Sequence, residues 1–213
     1  MDSLRGVWRF WMSLLALLVL VTATGARAAD PVLLVFGDSL SAGYGIEAKA
    51  AWPNLLAGEL ARQGQRYRVV NASVSGETTA GGRTRFPNAL KQHSPSIVII
   101  ELGANDGLRG LPVNAARDNL AAMIVAAQRS GAKVHLVGMQ MPPNYGPDYT
   151  ASFAEVFPAL AKQYRTGLTP FLLAPVIARP TLFQNDQLHP TAEAQPLLAK
   201  MIAADLKPLL AKQ

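Results

Sequence analysis

Four short segments carry residues that could do chemistry together. Ser39 stands in Gly37-Asp38-Ser39-Leu40, just past an apolar run over 32–36. A serine at the end of a buried strand can turn its hydroxyl into a cleft, where backbone N–H groups at a helix start can hold an anion. Gly-Asp-Ser is also an ordinary turn sequence. Asp186 and His189 lie three apart in Asn185-Asp186-Gln187-Leu188-His189-Pro190. On a helical turn such positions share a face. The carboxylate can then hold the imidazole Nδ1–H and leave Nε2 to take a proton from a serine. The plain alternative is a loop histidine before a proline. Gly76 follows a second apolar run, and lacking a Cβ it can bring its N–H close to a ligand or simply make a turn. Asn105, in Gly103-Ala104-Asn105-Asp106-Gly107, can donate its side-chain amide to a developing oxyanion or close a turn. Taken together, the segments supply a nucleophile, a base, an orienting carboxylate and oxyanion donors, which is the set acyl transfer needs.

The elements around them form a repeating pattern. Apolar, β-branched runs fall at 32–36, 67–72, 97–102 and 134–137, with a weaker one at 168–172. Runs without alternation suit strands buried on both faces of a parallel sheet. Helical stretches are expected at 52–63, 114–130, 149–164 and 196–206. The second of these has Ala116, Leu120, Met123, Ile124 and Ala127 on one face, Asn114 as its expected cap and Gly131 at its end. Pro196 suits a first helical turn. Alternating strands and helices predict a doubly wound α/β domain, in which ligands sit beyond the carboxyl ends of the strands. All four chemical segments fall there or close to the C-terminus.

Composition narrows the chemistry. The 213 residues are half hydrophobic and 16% charged, which suits one packed domain. Cysteine is absent, so thiol nucleophiles, disulfides and Cys-zinc sites are excluded. His93, His135 and His189 show no metal-ligand spacing, and the first and second read as structural. Arg5 and Arg9, an apolar stretch after them and Ala26-Arg27-Ala28 form a secretory signal of bacterial type over 1–28. The apolar stretch is shorter than the ~20 residues of a spanning helix. One domain over 29–213 is then expected in the periplasm or medium. Loss of Arg5, Arg9, Arg27 and Asp2 lowers the net charge from +6 to +4. The remaining basic residues are scattered and form no patch for nucleic acid.

The segments Gly37-Asp38-Ser39-Leu40, Gly76, Gly103-x-Asn105-Asp106 and Asp186-x-x-His189 resemble the four sequence blocks of the SGNH hydrolase (GDSL esterase) family. The resemblance runs from Val32 to about Pro208, and it leans toward the periplasmic thioesterase, lysophospholipase and arylesterase branch. Ala104 stands where the family commonly has a second glycine. The resemblance implies a three-layer α/β/α, flavodoxin-like SGNH hydrolase fold with about five parallel strands in the order 2-1-3-4-5. It implies Ser39 as nucleophile, His189 as general base and acid, and Asp186 as its orienting partner. It makes the Ser39 and Gly76 N–H groups and the Asn105 amide the oxyanion hole, with Asp38 supporting the nucleophile loop. A mobile loop containing Gly107, Leu108, Arg109 and Leu111 is expected to contact an acyl chain, and Met141 and Pro142, with Met139 and Pro143, to floor an apolar groove. No metal or cofactor is implied. The expected substrate is a small-molecule acyl ester or thioester, handled by a monomer without a stable membrane anchor. The rival readings are a carbohydrate O-acetylesterase of the same superfamily, a non-catalytic secreted binding protein, and an acyltransferase using the same acyl-enzyme.

Overall fold

The strands form where the β-branched runs stand. β1 (Val32–Gly37), β3 (Ile97–Glu101) and β4 (Lys133–Val137) are buried over nearly their whole length. β2 (Arg68–Asn71) is half-buried at one edge, and β5 (Gly167–Thr169) at the other is shorter than the sequence run suggests. All pair in parallel, in the order β2-β1-β3-β4-β5. The computed structural model describes residues 29–210, so the leader read over 1–28 lies outside the described residues.

Seven α-helices join and follow these strands among the described residues: α1 (Ser39–Ala42), α2 (Trp52–Arg62), α3 (Thr79–His93), α4 (Ala104–Leu108), α5 (Val113–Arg129), α6 (Pro147–Tyr164) and α7 (Gln195–Asp205). α2 and α7 pack on each other, and α3, α5 and α6 pack in a row. The layers are those of a flavodoxin-like α/β/α sandwich. The core runs through both interfaces, with Trp52, Leu56 and Leu198 in one group and Phe86, Met123, Phe153 and Phe157 in the other. No described helix is long and apolar enough to cross a membrane.

Three local features depart from the sequence reading. α5 begins behind Pro112 with no side-chain cap, so Asn114 lies inside its first turn rather than capping it. α3 is not delineated by the sequence pattern. Gly81, Gly82 and an interior Pro87 break the helical signal, yet Thr78 caps the helix at Gly81 N and Phe86, Ala89 and Leu90 bury its inner face. Burial of that face outweighs poor propensity. α2 has no local side-chain cap either; the Trp52 N–H donates instead to Gln195 Oε1 at 3.0 Å, which ties the start of α2 to the start of α7.

The chain passes from β1 outward to β2 and then back across β1 to β3. That reversal opens a crevice at the carboxyl ends of β1 and β3. Ser39 follows the first and Asn105 the second.

His135 is fully buried in β4. The Thr169 hydroxyl donates to Asp205 Oδ2 at 2.7 Å, so at 2.9 Å it accepts from His135 Nε2–H and the bare Nδ1 has no partner. Burial pushes this histidine down to about 4. Because the folded chain takes the proton less readily than the unfolded one, stability should fall as pH drops from about 6.5 to about 4, by up to about 3 kcal/mol. Urea denaturation at pH 7 and pH 4.5 checks this: His135→Gln is expected to flatten the slope over that window.

Candidate active site

The nucleophile segment is built by a short helix. Asp38 caps α1, its Oδ1 accepting from Leu40 N at 3.0 Å, and Gly43 ends the helix in the left-handed region. Ser39 is thereby the first residue of α1, with its N–H unspent among the described residues. Gly37 makes the tight exit from β1 possible: a Cβ there would lie 2.7 Å from Glu101 Oε2 and 2.8 Å from Ser41 Oγ.

The histidine comes from a turn rather than the helical turn that the three-residue spacing suggested. Gln187 takes φ +57°, and the Asp186 side chain folds back on its own backbone. Asp186 Oδ1 accepts from Leu188 N at 2.9 Å and His189 N at 3.0 Å, while Oδ2 meets His189 Nδ1 at 2.7 Å. These bonds, the His189 N–H foremost, hold the Asp186 carboxyl down at about 2. An ionised carboxylate fixes the hydrogen on His189 Nδ1 and leaves Nε2 as an acceptor. Nε2 stands 2.8 Å from Ser39 Oγ. Ser39, His189 and Asp186 therefore form one continuous hydrogen-bonded line. The Tyr44 ring lies against His189, 4.7 Å between centroids.

Of the expected oxyanion donors, Asn105 is tied directly to the nucleophile turn and Gly76 lies beside the residue that anchors it. Gly76 takes φ +80°, where a side chain would be strained, and its N–H is unspent among the described residues. Asn105 Nδ2 donates to Glu77 O at 3.0 Å and to Asp38 Oδ2 at 3.2 Å. Asn105 is thus anchored next to Gly76 on one side and to the nucleophile turn on the other.

A groove of about 480 Å³ opens from Ser39, Asn105 and His189. Leu108, Met141 and Pro142 line it as expected, together with Met139 and Pro143. Gly107, Arg109 and Leu111 do not. Gly107 backs onto Met141, Arg109 Nη2 donates to Gly76 O at 3.2 Å, and Leu111 is exposed. Residues that the sequence pattern does not single out complete the walls, among them Phe171, Leu173, Ile177, Phe183 and Leu188. Most come from the irregular stretch after β5, which has no periodicity to read. A larger and more open groove of about 640 Å³ between α5 and α6 holds none of the chemical groups. No described cluster of His, Asp and Glu is placed to hold a metal ion.

Residues 35–196 match the GDSL-like lipase/acylhydrolase family. The chain belongs to that family. As a GDSL-like acylhydrolase it is 45% identical to an arylesterase of Vibrio mimicus, over 91% of this chain and 96% of the relative. It is 41% identical to thioesterase 1/protease 1/lysophospholipase L1 of Escherichia coli, over 92% and 93%. The crystal structure of the esterase TesA superposes with a TM-score of 0.81 at 48% identity, covering 84% of this chain and 99% of that one. The sheet order and layers of this chain are those of the SGNH hydrolases, as the family resemblance implied.

Two tyrosines hold the acylhydrolase's groove loop. Tyr145 OH donates to Leu108 O at 2.9 Å, and Tyr149 OH faces both Gly107 O at 3.2 Å and Leu111 O at 3.1 Å. One hydroxyl has one proton, so Tyr149 serves these two carbonyls in turn. The Tyr145→Phe/Tyr149→Phe double variant is expected to lose about 1–3 kcal/mol of local stability. Hydrogen exchange of the 107–111 amides should then quicken while that of β1 and β3 stays unchanged; equal protection in both proteins would remove the loop's dependence on these hydroxyls.

Proposed function

We propose that this chain is an exported hydrolase of carboxylic esters and thioesters that works through an acyl-enzyme on Ser39, accepting fatty-acyl, aryl and lysophospholipid esters. The observation that carries the reading is the hydrogen-bonded line from Asp186 through His189 to Ser39, opening on a mostly apolar groove. The names of the relatives, an arylesterase and a thioesterase/lysophospholipase, fit the same substrate class.

The reaction follows from the atoms. His189 Nε2 takes the Ser39 proton as Oγ attacks the acyl carbonyl. The oxyanion that develops is met by the Ser39 and Gly76 N–H groups and by the Asn105 amide, whose longer bond to Asp38 is the one it shares. Asp186 stays ionised and stabilises the imidazolium. His189 then gives its proton to the departing alcohol or thiol, and water repeats the sequence to release the acid. All the groups required are side chains and backbone of this chain, so the reading calls for no metal or cofactor.

The groove sets the acyl group. Leu108, Met139, Met141, Pro142 and Phe171 offer a flexible, mostly apolar surface. Each buried methylene adds about 0.8 kcal/mol, so neighbouring chain lengths are poorly separated and breadth is expected. Gly107, Arg109 and Leu111 act at one remove, through the loop they form. A short, polar pocket suited to an acetyl group is not what these residues build. The leader read over 1–28 supports export to the periplasm or medium, its apolar stretch is short for a stable membrane anchor, and the scattered basic residues speak against nucleic-acid binding.

Hydrolysis of p-nitrophenyl esters from C2 to C16, compared with Ser39→Ala, tests the reading. Activity should peak at C4 or longer and vanish in the variant. A sharp C2 optimum would favour an O-acetylesterase, and activity that does not depend on Ser39 would remove the acyl-enzyme. Asp186→Asn is expected to keep the fold and lower kcat on the order of 10³–10⁴-fold, through the wrong imidazole tautomer. Removing an oxyanion donor with Asn105→Ala should cost ~10²–10³ in kcat with a much smaller change in KM.

A further inference from the structure

Two carboxyl groups lie buried behind Ser39, and the mechanism above uses neither as an acid or base. Asp38 and Glu101 are both fully buried. The strand register that sets Gly37 opposite Glu101 brings them together. Glu101 Oε2 accepts from Ser41 Oγ at 2.6 Å and from Asp38 N at 3.4 Å. Glu101 Oε1 has no donor directed at it. The 3.4 Å approach of the Asp38 amide to Glu101 Oε2 sets the two buried carboxyl groups beside each other, and neither forms an ion pair with a lysine or arginine among the described residues.

Two carboxylates cannot face each other in a dry site with both charges intact; one proton has to stay between them. The surrounding donors decide which group keeps it. Asp38 receives Leu40 N on Oδ1 and Asn105 Nδ2 on Oδ2, and both favour its anion. Glu101 receives Ser41 and the Asp38 amide on one oxygen, and its other oxygen is left to carry a hydrogen.

We infer that Glu101 is a positioning residue: held as a neutral acid, it donates its hydrogen to the Asp38 carboxylate and so fixes the anion that orients the Asn105 amide and the Ser39 turn. Glu101 touches no substrate, and its influence passes through Asp38 to Asn105 and through Ser41 to α1. Asn71 Nδ2 braces the same turn from β2, donating to Ser41 O at 2.8 Å. Burial, with the neighbouring Asp38 charge second, keeps Glu101 well above the ordinary carboxylate range. Burial also raises Asp38, to about 6, against the pull of Leu40 N and Asn105. The other charged groups that act on the pair are His189, which favours the Asp38 anion, and Asp106, which opposes it while held by Thr79 N and Oγ1. When the shared proton leaves at alkaline pH, the two anions repel. Asp38 then gives up its place, and the Asn105 donor goes with it.

This inference rests on the ester-hydrolase reading for its kinetic consequences but not for its central claim, so the test has two parts. The infrared spectrum of the wild-type protein at neutral pH is expected to show the carbonyl band of a buried, protonated carboxylic acid. The band should persist well above the ordinary carboxylate range and be missing from Glu101→Gln. Its absence from the wild type, or its survival in the variant, would overturn the assignment whether or not the protein hydrolyses esters. In the kinetic part, kcat for a soluble short-chain ester is followed against pH. Glu101→Gln keeps the shape and a permanent donor toward Asp38; it should hold kcat within about threefold of wild type near neutrality and lose the alkaline decline. Glu101→Leu keeps the volume without a donor, and should lose ~10²-fold in kcat with KM nearly unchanged, as loss of one oxyanion donor would. A folded Glu101→Leu with wild-type kcat, or a Glu101→Gln profile that keeps the alkaline limb, would overturn the positioning role. Should both variants fail to fold, the wild-type spectrum still bears on the claim: absence of the band at neutral pH overturns it, and persistence of the band at alkaline pH, beyond the about 6 of Asp38, supports it. A wild type inactive on every ester would refute the hydrolase reading, and the band would still decide whether Glu101 holds the proton.

Discussion

The 2.8 Å bond between Ser39 Oγ and His189 Nε2 joins residues 150 positions apart, and much of the structure serves to hold that distance. Proton transfer between them works only within hydrogen-bond reach. Ser39 is fixed by β1, a buried inner strand of the sheet. His189 is on a turn after β5 and has no strand of its own, so it needs separate anchoring. Phe183 pairs with Pro190 in an isolated antiparallel bridge, and Gln184 N donates to His189 O at 2.8 Å. The Gln184 side chain reaches across to Tyr44 O at 2.7 Å, on the segment that follows the nucleophile helix. Gln195 couples the same region to Trp52 at the head of α2. The histidine turn is thus fastened to the segment that presents the serine.

The second constraint is electrostatic. Asp186 is solvated on one side and held by three hydrogen bonds, so it stays charged at little cost. Asp38 and Glu101 lie in the interior, where charge is expensive and an apolar pair of the same volume would commonly be at least as stable. Neutralising one of them removes most of that cost and leaves a single anion where the nucleophile turn needs an acceptor. The three carboxyl groups near Ser39 therefore differ in role because they differ in solvation and donors, not in residue type.

Legibility in the sequence followed the same physics. Strands β1, β3 and β4 were readable because burial on both faces demands unbroken apolar runs, and the half-buried edge strand β2 through its central valines. β5 was readable only as a region, since three half-buried residues leave little signal. α3 escaped because its glycines and Pro87 lower intrinsic propensity, while the burial of Phe86 and Leu90 that compensates is a tertiary effect. Ser39, Asp186 and His189 were legible as a set through spacing and position, although their geometry was not. Nothing in Asp186-x-x-His189 announces a left-handed Gln187 or an aspartate folded onto its own backbone. Glu101 was visible as a polar residue ending an apolar strand, but its partner was not, because the contact with Asp38 exists only through the β1–β3 register. The groove walls supplied by Ile177 and Phe183 were hidden for a similar reason: irregular chain writes no period.

The division between what is rigid and what is soft bears on selectivity. The groups proposed to handle the ester carbonyl follow β1 and β3 directly or sit on a doubly anchored turn. The groups that line the groove are methionines, prolines and a loop held by two tyrosine hydroxyls. A change of acyl length therefore alters burial in the groove, at about 0.8 kcal/mol per methylene, without disturbing the carbonyl. Selection by length is consequently gradual, whereas selection for an activated acyl carbonyl is strict. Esters and thioesters make the same demand on this arrangement, since in both His189 returns one proton to the departing atom.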